Sequence, residues 1–154
     1  MKVVVQKVSE AGVYIKEENY SAEIRKGLVI LLGISNDDTI EDVNFLADKC
    51  TNLRIFLDEN EKMNLSVKDV DGEVLVISQF TLYGDAQKGN RPSFIEAAKP
   101  EIAIPLYEKF IERMKINLSS GKVKSGIFGA MMLVKIFNEG PVTIIIDSKR
   151  KNNS

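Results

Sequence analysis

The sequence predicts a single α/β domain, a mainly antiparallel β-sheet or barrel with two covering helices. Short apolar runs separated by Gly, Pro, Asn and Asp outnumber all other segments, as expected of strands linked by turns. Only two segments repeat apolar residues at helical spacing. A length of 154 residues, with 44% hydrophobic and 28% charged residues, fits one water-soluble domain around one core.

Taken in order, residues 1–8 and 12–15 read as short strands joined by a turn at 10–12. Residues 27–34 (Gly-Leu-Val-Ile-Leu-Leu-Gly-Ile) are continuously apolar, the pattern of a strand covered on both faces. Thr39 is placed to cap a helix, and Asp42 three residues on resembles a capping box. Ile40, Val43, Leu46, Ala47 and Cys50 would form its buried stripe. Residues 53–57 read as another strand, followed by a polar turn at 58–61. That acidic turn lacks the glycine and terminal glutamate of a calcium-binding loop.

Asp71-Gly72 is a hairpin-type signal that would launch a strand over 73–80. Gly84, Gly89, Asn90 and Pro92 mark 83–92 as a loop. Pro100 and Pro105 frame the start of a second helix running to about Asn117, with Leu106, Phe110, Ile111 and Met114 as its apolar face. Ser119-Ser120-Gly121 ends it. Two final strands, 130–137 and 143–147, are joined by Asn138-Glu139-Gly140-Pro141. The domain therefore spans 1–147, and the polar, basic 148–154 segment reads as a frayed tail.

Composition narrows the chemistry. The N-terminal apolar run is too short for a signal peptide, and nothing approaches the roughly 18 apolar residues of a membrane helix. A cytoplasmic protein without a membrane partner is expected. The lone cysteine, Cys50, rules out an internal disulfide and reads as a small buried hydrophobe rather than a nucleophile. There is no histidine, which excludes Ser-His-Asp and Cys-His catalysis, a His base and His-containing zinc sites. An enzyme built on this chain works with hydroxyls, carboxylates, lysines, backbone amides or groups of its substrate. A net charge of −1 supplies no global field toward nucleic acid. RNA would be gripped at a short end, and DNA is not expected as a partner.

Two tempting motifs fail. The 121–126 segment (Gly-Lys-Val-Lys-Ser-Gly) imitates the start of a P-loop, but Ile127 stands where the lysine must be. Residues 126–129 have the GXXG spacing of KH domains, yet a strand follows where that fold requires a helix. The run Ser78-Gln79-Phe80-Thr81-Leu82 is more informative. It closes a strongly apolar strand and enters a Gly-rich loop, where side chains and freed N–H groups can face a ligand. Asn138-Glu139-Gly140-Pro141-Val142-Thr143, read by itself, is a turn.

Together these two segments resemble the two signature motifs of the D-aminoacyl-tRNA deacylases, also called the D-tyrosyl-tRNA deacylase family. The resemblance runs through Gln6-Lys7-Val8, Lys26-Gly27-Leu28, Leu32-Gly33, Asn52-Leu53-Arg54-Ile55-Phe56, Lys62-Met63-Asn64-Leu65-Ser66, Gly89-Asn90-Arg91-Pro92-Ser93-Phe94 and the segment from Gly126 to Ala130. Lys7 and Ile127 stand where the family often has Arg, and Met131 where it often has an acidic residue. Lys7 keeps the charge without the planar fork.

The resemblance implies hydrolysis of the ester joining a D-amino acid to the 3′-terminal ribose of tRNA, with rejection of L-aminoacyl-tRNA. It implies no cofactor and a homodimer. Ser78, Gln79, Phe80 and Thr81 would be the catalytic group. Gly140 and Pro141, joined by a cis peptide, would exclude L-substrates from the partner's pocket. Phe128, Ala130 and Met132 would wall the terminal adenosine. Two mechanisms stay open: attack by Thr81 Oγ, or attack by water assisted by the ribose 2′-OH with backbone N–H groups holding the oxyanion. The second is favoured, because no residue in the motif serves as a base for Thr81. Two other readings remain as rivals: an editing deacylase for mischarged L-aminoacyl-tRNA or glycyl-tRNA, and a tRNA-end binding module without turnover.

No metal ligand set is foreseen, since there is no His and one Cys. Deacylation is therefore expected to survive exhaustive EDTA treatment. Loss of activity that returns only on adding zinc would show this to be wrong.

Overall fold

A computed structural model of the chain describes residues 1–150. The last residues of the expected tail, 151–154, lie outside the described residues.

The sheet is organised around β1 (Lys2–Ile15), a strand of 14 residues. Where the sequence suggested two strands and a turn at 10–12, the backbone runs straight through. Gly12 stays in the ladder opposite Glu23, and the local disturbance is a register shift between Val8 and Glu10. Along one edge β1 pairs antiparallel first with β3 (Gly27–Gly33) and then with β2 (Tyr20–Ile24). Along the other it pairs antiparallel with β8 (Leu133–Asp147) over nearly its whole length. The segment read as two final strands and a hairpin is thus one strand. Asn138-Glu139-Gly140-Pro141 is a bulge within it rather than a connection between partners.

Between them lie β4 (Phe56–Leu57) and β5 (Met63–Leu65), a small hairpin around the polar 58–61 turn, and β6 (Glu73–Ser78) and β7 (Val123–Ser125). β6 pairs parallel with β3, and β7 parallel with β6. Asp71-Gly72 therefore does not join antiparallel neighbours. It closes a turn after Ser66, with Gly72 N–H donating to Val67 O at 2.9 Å. The sheet is mixed, with its antiparallel part carried by β1. It curls until Tyr20 of β2 donates from its hydroxyl to Ser125 O of β7 at 2.7 Å.

Two cores result. On one face, Val3, Val5, Leu28, Ile30, Leu32, Val74 and Val76 meet α1 (Ile40–Asn52) and α2 (Pro100–Leu118). On the other, Val8, Val13, Ile15, Val29, Leu75 and Ile77 fill the inside of the curl. The α1 stripe is buried as its spacing requires, except Ile40, which is half exposed. Cys50 is fully buried in that stripe, and burial pushes its thiol up to about 12. In α2, Phe110 and Met114 are joined in the core by Ala103 and Tyr107, while Leu106 and Ile111 lie at its margin. Arg113 of α2 donates twice to Asp48 of α1, both at 2.8 Å. That guanidinium holds the Asp48 carboxyl below its usual range. No helix among the described residues is long and apolar enough to cross a membrane.

The start of α1 is also where Met1 meets residues 148 and 149. Asp42 accepts from Thr39 N–H at 2.8 Å and from Lys149 Nζ at 2.9 Å. The Met1 ammonium is buried against Asp38, and Ser148 N–H donates to Met1 O at 2.9 Å. Burial raises the Asp42 carboxyl, but hydrogen bonds from Ser148, Lys149 and Thr39 outweigh it and leave the pKa well below the usual carboxylate range. A depressed folded-state pKa stabilises above the unfolded value of about 4 and loses that stabilisation as pH falls. Asp42→Asn is expected to cost roughly 1–3 kcal/mol at neutral pH. Urea unfolding should show the gap to wild type narrowing below about pH 4, and a gap constant down to pH 3 would contradict the assignment.

Candidate active site

The catalytic candidates stand at the C-terminal end of β6. Val74 to Ile77 are buried, Ser78 is half-buried, and the chain then enters a 3-10 turn over Phe80–Tyr83. Gln79 N–H donates to Leu32 O at 2.8 Å, fixing the turn to the end of β3. Gly33 allows that approach, because a Cβ there would lie 3.0 Å from Leu82 Cβ and 3.2 Å from Gln79 O. Inside such a turn the first N–H groups have no carbonyl to reach. Those of Phe80 and Thr81 precede the turn's first bond, Leu82 N–H to Gln79 O at 3.2 Å. Thr81 is exposed, and Gln79 Nε2 donates to its Oγ1. A neutral carboxamide in either orientation is too weak a base to take the Thr81 proton.

The second wall comes from the segment after β7. Gly126 N–H donates to Val76 O at 3.0 Å, so residues 126–132 leave the sheet at the same end as Ser78. Phe128 packs against the helix-side core, and Ala130 and Met132 against the inner one. Met132 Sδ occupies the space beside Gly126, 2.5 Å from where a Cβ would stand. Tyr107 reaches from α2 between these pieces. Its hydroxyl lies 2.9 Å from Gly126 O and 3.2 Å from Val76 O, and its ring centre is 5.8 Å from that of Phe128. Ile127 and Met131 are exposed at the rim.

Neither 78–82 nor 126–132 contains an ionisable side chain. The nearest hydroxyls of that kind, Tyr83 and Tyr107, are driven up by burial and stay neutral. What the site offers is amide donors, hydroxyls and an apolar wall. That set orients a reactive bond and stabilises developing negative charge rather than moving protons.

Gly140 and Pro141 are elsewhere in the chain. They are exposed, their peptide is cis, and Gly140 has φ +133°. They bulge from β8 opposite Lys7, between the pairs Gln6–Thr143 and Val8–Asn138. The register places Lys7 beside Leu28 and Val74, whereas Ser78 is level with Leu32 and Val3. Following the sheet, the two motifs are separated by three strand spacings, about 14 Å, and four residues along the strands, about 13 Å. Within one chain they do not form one pocket. Lys7 itself is 8% exposed, with Nζ 5.8 Å from the centre of the Phe56 ring.

The description D-Tyr-tRNA(Tyr) deacylase fits residues 4–147 as a family match. The chain belongs to that family. It is 58% identical to a D-aminoacyl-tRNA deacylase of Flavobacterium psychrophilum and 56% identical to one of Clostridium novyi, with 98% of this chain and 99% of each relative covered. Among solved structures it resembles the c-Myc DNA unwinding element binding protein, at 40% identity and TM-score 0.89 over 96% of this chain and 98% of that one. A probable eukaryotic D-amino acid tRNA deacylase shares the fold at 17% identity and TM-score 0.80, over 94% and 97% of the two chains.

The family's two motifs thus lie three strands and four residues apart in the sheet of this chain. Two residues that shape the site are not read from the sequence. Gly33 reads there as part of an apolar strand, and Tyr107 is in no named stripe. The i, i+3 spacing of Tyr107 with Phe110 in an otherwise aliphatic face was the available signal for the last. Tyr107→Phe keeps the ring and removes the donor to two buried carbonyls. It should cost roughly 1–2 kcal/mol in urea unfolding, and an unchanged stability would show that the hydroxyl holds neither.

Proposed function

We propose that this chain hydrolyses the ester linking a D-amino acid to the 3′-terminal ribose of tRNA, releasing free D-amino acid and tRNA in the cytoplasm. The observation that carries this reading is the full-length family match combined with intact motifs, one of which ends β6 beside the 126–132 wall. Aminoacyl esters are activated, so positioning and charge stabilisation suffice. A site without an ionisable side chain suits such a substrate.

In the proposed mechanism the ester carbonyl lies against the N–H groups of Phe80 and Thr81. A water oxygen, polarised by the vicinal 2′-OH, bonds to the carbonyl carbon. Negative charge collects on the carbonyl oxygen and is held by the two amides. The bond to the ribose 3′ oxygen then breaks, and the proton lost by the attacking water passes through the 2′-OH to that oxygen. Thr81 already accepts from Gln79, so its own O–H is left to orient ester or water, and no group stands ready to deprotonate it. Ser78 and Gln79 fix the turn. Phe128, Ala130 and Met132 flank the terminal adenosine.

The pocket is completed by a second copy. Gly140 and Pro141 protrude from β8, which pairs only with β1 among the described residues. Leu133, Phe137 and Ile145 of the same strand are 62%, 52% and 72% exposed, an apolar surface suited to a two-fold partner. Backbone delivered across that interface would form a wall at the substrate Cα, where D- and L-esters differ. Rejection of the wrong hand requires such a repulsive element.

The expected outcome in a matched assay is release of amino acid from D-aminoacyl-tRNA and none from the L-form. Turnover of the L-ester would favour an editing enzyme, and binding without release a non-catalytic module. Thr81→Ala should lose about 1–3 kcal/mol of transition-state stabilisation, the range of a hydrogen bond. Mixing Thr81→Ala with Gly140→Ala chains tests the shared pocket, because each mixed dimer contains one wild-type site. Recovery above either parent is expected, and its absence would place Gly140 in its own chain's site.

A further inference from the structure

The loop that follows the 3-10 turn has no role in the chemistry above, yet it is built onto the site. Asp85 and Ser93 exchange both backbone hydrogen bonds, each 2.8 Å, and Asp85 Oδ1 accepts from Gln87 N–H at 2.9 Å. Gly84 N–H donates to Thr81 O at 2.9 Å. Phe94 meets Phe80 edge-to-face, with ring centres 5.2 Å apart and planes at 71°. Both rings show much of their surface, 38% for Phe94 and 53% for Phe80. Lys88 and Arg91 stand exposed in the loop beyond the Asp85–Ser93 bridge.

The charge of this loop is uncompensated. Among the described residues Lys109, Arg113, Lys122 and Lys149 are in ion pairs, whereas Lys88 and Arg91 form none. The loop's one carboxylate, Asp85, is turned onto its own backbone. The carboxylates of Asp85 and Glu96 line the cleft at the loop's base, about 250 Å³, together with Lys2, and the tip beyond it carries only the two cations. A chain with net charge −1 attracts RNA only where cations are gathered locally. Exposed aromatic rings beside cations are the means by which proteins hold single-stranded nucleic acid without reading its sequence.

We propose that Phe94, Lys88 and Arg91 form a second nucleotide site, which takes the single-stranded RNA just upstream of the terminal adenosine. The Phe94 face stacks a base, and the two cations meet the phosphates on either side of it. The site serves the deacylase reading given above but is separable from it. Its ligand is any unpaired 3′ RNA end, charged or uncharged.

The experiment compares D-aminoacyl-tRNA with the matching D-aminoacyl ester of adenosine alone, which has no upstream phosphate. Lys88→Gln with Arg91→Gln should lower kcat/KM for the tRNA substrate, and leave the adenosine ester at the wild-type rate. For uncharged tRNA measured by filter binding, the double variant should flatten the slope of log affinity against log salt by about 1 per cation. Phe94→Leu, which keeps an apolar contact with Phe80 and loses the π face, should weaken binding of the same tRNA roughly ten-fold. Equal losses on both esters, or binding unchanged in both variants, would overturn the proposal. A wild-type chain inactive on both esters would refute the deacylase reading, while the tRNA-binding comparison would still decide this one.

Discussion

The ladder between β1 and β8 sets one residue of β1, Lys7, against the four residues 139–142 of β8, and adds one residue to β1 at Ser9. This irregularity governs much of the molecule. Before it, odd-numbered β1 residues such as Val3 and Val5 face the helices; after it, Val13 and Ile15 face the interior of the curl. Side chains alternate strictly along a strand, so only an inserted residue moves a continuous strand's apolar set to the other face. One strand thereby supplies two cores. The extra residues on the β8 side lift Gly140 and Pro141 out of the sheet, away from the chain's own 78–82 turn.

The electrostatic character of the two regions differs accordingly. Charged groups gather at the start of α1: the Met1 ammonium with Asp38, and Asp42 with Lys149. These act on stability. The proposed active site is neutral, walled by backbone and apolar side chains, and its rigidity is inherited from β6 and from Tyr107 crossing beneath it. In the proposed mechanism such a site leaves the reactive oxygens to water and the RNA.

The sequence was most legible where one residue pattern has one structural meaning. The α1 stripe from Val43 to Cys50, and the apolar run of β3, were placed to within a residue or two. It was least legible at Gly- and Pro-containing segments, because turns and bulges draw on the same residues. Residues 10–12 and 138–141 both read as turns and are both passages within long strands. Parallel pairing of β6 with β3 and β7 could not be seen either, since Asp71-Gly72 carries a local hairpin signal and a parallel partner is fixed by distant chain. The composition of the candidate site was visible as motifs. The position of Gly140 relative to Thr81 was not, because it depends on the register of four strands. Tyr107 and Phe94 act through contacts between elements that no local window contains.

Burial of Cys50 has a practical side. Its thiol is enclosed by the helix-side core and its pKa is pushed up to about 12, so almost no thiolate exists at neutral pH and none is accessible. The native chain is therefore silent toward maleimides and similar reagents while folded. A cysteine introduced at an exposed position such as Asn90 would be the only thiol to react. Fluorophores or spin labels can thus be attached at the loop tip or on β8 without first removing the native residue. Distances across the proposed dimer and movements of the loop then become directly measurable.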